Sequence, residues 1–250
     1  MTTTLDSTTS STRSTGSTGT TIPAHPVTVA EPGTRMRRRV AAGTFFGAAA
    51  ITMAGILATP FEGKAGEDVY LRTLAAHPRQ AIVAAVLLHF GYLLFVPAAF
   101  TMARLARRGA SRLSAIGITL AVLGSGLSGL LVTDIYDLSI ARHVGAVAGS
   151  PISDMKGIPL VGLGVVSMAV LTSFGMILGL VLLAGAMRRA RLAPIWPPFA
   201  LLVGFLSAFG AHDLLRTSIG FGVVCVSIAF LGVKVLRMTD ERFAYGSDPR

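Results

Sequence analysis

The chain is poor in charge, in acid and in cysteine. Only 14% of its 250 residues are Asp, Glu, Lys or Arg, where a soluble domain carries about 25%. So few charges cannot clothe the surface of a soluble fold of this size, which excludes an ordinary soluble enzyme. The one cysteine, Cys225, lies inside an apolar run. It excludes a disulfide scaffold and reads as a small buried hydrophobe. Lysine is nearly absent, with three against 19 arginines, a bias that fits a high-GC bacterial genome. No segment alternates apolar and polar residues, which excludes a membrane β-barrel.

What is abundant is apolar. Hydrophobic residues make up 52% of the chain and the mean hydropathy is +0.67, values of a multi-spanning membrane protein. The net charge of +10 would suit nucleic acid if it lay on one folded soluble surface. It lies instead in short clusters between long uncharged runs, so no nucleic-acid partner is expected.

Residues 1–21 are nearly all Thr, Ser and Gly, followed by Pro23, Pro26 and Pro32. Such a stretch buries too little apolar area to offset its chain entropy, and a disordered tail over 1–34 is expected. A secretory signal peptide fits poorly, because the first apolar run begins only at Val40 and is too long for an h-region. Six uncharged runs follow, at 40–61, 80–103, 113–133, 157–187, 192–211 and 217–233. A hydrocarbon core of about 30 Å needs about 20 helical residues. With every backbone amide satisfied internally, the runs must be helices. The expected fold is an all-α, six-transmembrane-helix bundle over 35–238. Its spans lie at about 40–60, 80–103, 113–133, 160–186, 197–213 and 217–236, and a short tail covers 239–250. Pro97 should kink the second helix, and Trp196 is an expected interfacial anchor.

Alternate flanks of a six-span chain share a side. One set of flanks holds 16 Lys+Arg and the other six. The positive-inside rule puts the rich side, with both termini, in the cytoplasm. The expected location is the cytoplasmic (plasma) membrane of a bacterium, with the lipid bilayer and anionic head groups on the cytoplasmic side as partners.

Helices in lipid associate through small residues. Gly43 and Gly47 in the first helix, Gly124, Ser125, Ser128 and Gly129 in the third, and Gly175 and Gly179 in the fourth have the required spacing. They are expected to pack the bundle, or alternatively to form the seam of a homo-oligomer. Gly126-Leu127-Ser128-Gly129 resembles the Gly-x-Ser-Gly pattern of rhomboid intramembrane proteases. That resemblance implies a serine nucleophile with a histidine base on the last core helix. The sixth run has no histidine, and the pattern sits on the third helix instead of the fourth. The tetrapeptide therefore reads as packing, and no catalytic residue is assigned.

Few polar groups remain for function. His89 is the only ionisable residue well inside a run. It is either a structural hydrogen-bonding group, with Tyr92 one turn on, or a functional one. Asp134 and Asp137 lie one helical turn apart where the third helix emerges. His212 and Asp213 occupy the tight turn before the sixth helix. These four read as solvated interfacial residues. The alternative is that they converge on a divalent metal, the one cofactor the sequence brings into view. Three functions stay open: a non-enzymatic accessory or structural membrane protein, which is favoured; a small transporter or binding protein using His89 and the outer polar cluster; and a metal-dependent hydrolase opening outward.

Overall fold

A computed structural model describes residues 33–60, 69, 73, 76–126, 159–208 and 214–245, with side chains described outside 159–173. It is built of helices, and no strand occurs among the described residues. They are α1 (Thr34–Ala58), α2 (Pro78–Ala106), α3 (Ser111–Gly126), α4 (Pro159–Arg189), α5 (Trp196–Ala208), α6 (Leu214–Leu236) and the short α7 (Asp240–Tyr245). Among the described residues α1, α2 and α6 are long and apolar enough to cross a membrane. At 1.5 Å per residue their 25, 29 and 23 residues run about 35–44 Å, more than the hydrocarbon core requires. The excess is informative. The helix of α1 begins at Thr34, ahead of Val40 where the apolar run starts, so Arg35, Arg37, Arg38 and Arg39 ride on its first turns.

Local chemistry sets the helix ends. Pro78 occupies the first position of α2, where its missing N–H costs nothing. The chain leaves α4 through a Schellman turn. Leu192 N–H donates to Met187 O (2.8 Å) and Arg191 N–H to Arg188 O (2.9 Å). Arg191 takes the left-handed conformation there, with φ 58°, and Met187 and Leu192 are both buried beneath it. Pro97 lies inside α2, and the helix continues through it. Thr101 Oγ1 donates to Pro97 O at 2.9 Å.

Neighbours in sequence are neighbours in space. α1 packs on α2, α2 on α3, α3 on α4, α4 on α5 and α5 on α6, while α6 returns to α1 and α2 also touches α4. Where the helices approach most closely, a glycine lies at the contact. A methyl group on Gly91 would come within 2.8 Å of Thr52 N, and one on Gly179 within 2.7 Å of Gly117 O. Gly204 and Gly220 stand in the same relation between α5 and α6, and Gly232 meets Phe45 between α6 and α1. Lipid tails give helices no hydrophobic reason to associate, so close backbone approach of this kind must hold them.

Phe45, Phe95, Met102, Leu180, Leu201 and Leu231 are sealed inside. Large apolar side chains also cover the outside, among them Val83, Phe90 and Phe100 on α2, Phe199 and Val203 on α5, and Val226 on α6. An outer surface this apolar is a liability in water and ordinary in lipid. The apolar helices place the protein in a membrane.

Candidate functional site

The helix registers gather one end of the bundle. Gly47 meets Leu94 while Gly55 meets Leu88, Gly117 meets Leu183 while Gly175 meets Gly124, and Arg38 meets Met238 while Phe45 meets Gly232, so the pairs α1–α2, α3–α4 and α1–α6 are antiparallel. The start of α1, the α2–α3 turn, the α4–α5 turn and the end of α6 therefore share one end. Gly109 in the α2–α3 turn abuts Ala190 in the α4–α5 turn, where an added methyl would meet Ala190 Cα at 2.8 Å.

That end carries 14 of the 16 Lys and Arg among the described residues, Arg79 and Arg216 being the two at the other. It also carries their only carboxylates, Asp240 and Glu241. Both sit in the first turn of α7, where negative charge suits the helix dipole. Thr239 caps that turn, its Oγ1 accepting Arg242 N–H at 3.2 Å.

α7 lies across the arginine-rich end and is tied to four other segments. Arg38 donates through Nη1 to Met238 O and pairs with Asp240 at 3.1 Å. Arg104 donates Nη2 to Phe243 O at 3.1 Å, with its guanidinium 4.9 Å from the centre of the Phe243 ring. Arg108 stands over Tyr245 at 5.8 Å. Arg242 Nη2 reaches Arg191 O at 3.3 Å. Phe243 is buried, at 3% exposure. On the neighbouring rim Trp196 packs on Phe230, ring centres 4.7 Å apart, and Lys234 Nζ lies 5.3 Å from the same ring.

Beside α7 a groove of about 450 Å³ runs between α1 and α2. Arg37 and Arg104 stand at its charged end. Val40, Ala41 and Thr44 form one wall, Pro97 and Phe100 the other, and Phe243 the head. No carboxylate lines it among the described residues.

His89 is half-buried on α2 and meets the ring of Phe90 edge-on at 5.7 Å. It makes no hydrogen bond among the described residues. Tyr92 is buried and stacks on Phe95 at 6.5 Å. Of the small residues singled out in the sequence, Gly175 lies against Gly124, a methyl there falling 3.7 Å from Gly124 Cα. Gly179 presses on α3 between Gly117 and Ala121, and Ser125 is buried. Gly47 meets the end of the Leu94 side chain, while Gly43 has no described atom within 4 Å of an added methyl. Ser128, Gly129, Asp134, Asp137, His212 and Asp213 lie outside the described residues. Among the described residues no three His, Cys, Asp or Glu come together as a metal site. Arg216 donates Nε to Ser207 O at 2.7 Å, tying α6 to the end of α5.

From the sequence, Arg37 and Arg104 counted only toward orientation, and Phe243 had no role. The signal for Phe243 was present: Thr239-Asp240-Glu241 is a helix start, and Phe243 and Tyr245 are the aromatics that follow it. A scan of family models, the curated proteins and the solved structures gives no match to this chain.

Proposed function

We propose that the chain is a six-span integral membrane protein of a bacterial cytoplasmic membrane, with both termini in the cytoplasm. It serves as a non-enzymatic accessory protein seated on anionic head groups. The observation that carries this reading is the charge asymmetry of the bundle: among the described residues, 14 Lys and Arg stand against two carboxylates at the end bearing α1's start and α7, below which the surface is apolar. Short loops rich in arginine stay on the cytoplasmic side, and the negative potential of that leaflet attracts them. The six apolar runs return the chain to that side after each pair of crossings. The few polar groups at depth, His89 and scattered hydroxyls, support a structural role over transport, which calls for polar sites and broken helices at the midplane.

The test is a pair of reporters, one active only in the cytoplasm and one only outside. Fused after Arg250, the cytoplasmic reporter is expected to be active and the other silent; within 134–156 the result reverses. Activity of the outside reporter after Arg250 would overturn the orientation. Stoichiometric metal in the purified protein, lost in both Asp134→Ala and His212→Ala, would overturn the non-enzymatic reading.

A further inference from the structure

We propose that the groove between α1 and α2 binds one anionic phospholipid of the surrounding leaflet. Arg37 and Arg104 hold its phosphate, and its first methylenes lie along Val40, Thr44 and Phe100. The proposal deepens the membrane reading above and rests on its orientation only for which leaflet supplies the lipid.

The groove is amphipathic along its length, as a lipid is. Arg37 to Thr44 on α1 and Arg104 to Pro97 on the antiparallel α2 each span seven residue steps. Both walls therefore descend about 10 Å from a charged rim to an apolar floor. A phosphate needs donors at the rim. Arg104 gives one of its five N–H donors to Phe243 O and keeps the rest of the fork, which is fixed from below by the Phe243 ring. A guanidinium held by its neighbours binds a phosphate with little further ordering. Among the described residues no carboxylate lines the groove, and Asp240 is engaged by Arg38. The volume of about 450 Å³ is within the roughly 300–1,000 Å³ of small-ligand sites.

Val40 and Phe100 are more than half exposed, so the groove opens sideways onto the apolar surface of the bundle. A leaflet lipid enters without leaving the bilayer. A soluble phosphate would leave the apolar walls unused, and a zwitterionic lipid would bring a cation to the arginines.

The full chain in detergent is titrated with phosphatidylglycerol or phosphatidylcholine. Retained lipid is counted by native mass spectrometry, and thermal stabilisation gives the affinity. About one phosphatidylglycerol per chain is expected to remain, and phosphatidylcholine is not expected to. Arg37→Gln weakens binding about fivefold or more. Arg188→Gln, the same charge removed from the same end outside the groove, changes it less than about twofold, as a screened distant charge should. Thr44→Trp and Val40→Trp fill the groove, leave the charge unchanged and abolish retention. Val40 is exposed, so its variant keeps the test open if Thr44→Trp does not fold. Equal weakening by Arg37→Gln and Arg188→Gln would mean diffuse attraction and overturn the site. So would retention by Val40→Trp, or equal retention of phosphatidylcholine. Reversed reporters after Arg250 would change the leaflet and leave these outcomes unmoved, so the two readings fail separately.

Discussion

Arg191 shows how one residue can be read wrongly for its charge. It belongs to the basic cluster, yet its backbone closes the Schellman turn at φ 58°, a conformation that costs an L residue about 1–2 kcal/mol. The buried Met187 and Leu192 beneath the turn offset that cost. Glycines teach the same lesson about context. Gly43 and Gly179 are one residue type, four places from a partner in the same spacing, but one faces open space and the other the backbone of α3. Gly179→Ala is expected to destabilise the bundle by about 1–3 kcal/mol, the range of overpacking. Gly43→Ala is expected to be neutral or slightly stabilising, as alanine favours a helix by about 1 kcal/mol over glycine. Thermal unfolding of the two variants in one detergent checks both. The spacing was legible in the sequence. Which glycine touches a neighbour was not, because rotation of a helix about its axis is set by its partners and leaves no mark in its own hydropathy.

Among elements, α7 is the one that hydropathy could not reveal. Six residues, two of them acidic and one basic, carry no span signal and read as a tail. The short helix persists because tertiary contacts supply what six residues cannot supply alone. These are the Thr239 cap, the burial of Phe243 and the arginines of α1 and α2 around it. Phe243→Ala removes the buried ring and the cation–π contact with Arg104. A loss at the lower end of about 3–5 kcal/mol is expected, since the site lies at the rim. Limited proteolysis should then cut within 237–245 at concentrations that spare the wild type. Undiminished protection would show that the arginine contacts alone hold the segment. Breaking the Arg38–Asp240 pair by Asp240→Asn should cost far less, about 0.2–1 kcal/mol, because Asp240 is itself 36% exposed. The long helices, in contrast, were plain from their uncharged runs. Among the described residues α1 and α2 extend beyond those runs into charged turns, since a hydropathy run stops at the first arginine and a helix does not.

The molecule as a whole is organised by the ring of antiparallel neighbours that brings the arginine clusters to one end. Single cysteines introduced at Arg112 and at Arg79, in a Cys225→Ser background, are expected to react with an impermeant thiol reagent from opposite sides of sealed vesicles. Labelling of both from one side would break the bundle as described. Composition alone determined that the chain is helical and belongs in a membrane. Transfer of long uncharged runs out of water is favourable whatever they later touch, and helices satisfy the backbone within a single run. Only the tertiary structure decided which residues meet: that Arg37 and Arg104, 67 positions apart in the sequence, stand over one groove, and that Phe243 closes it. Those choices depend on helix rotation, register and close approach, which arise between segments and belong to none of them alone.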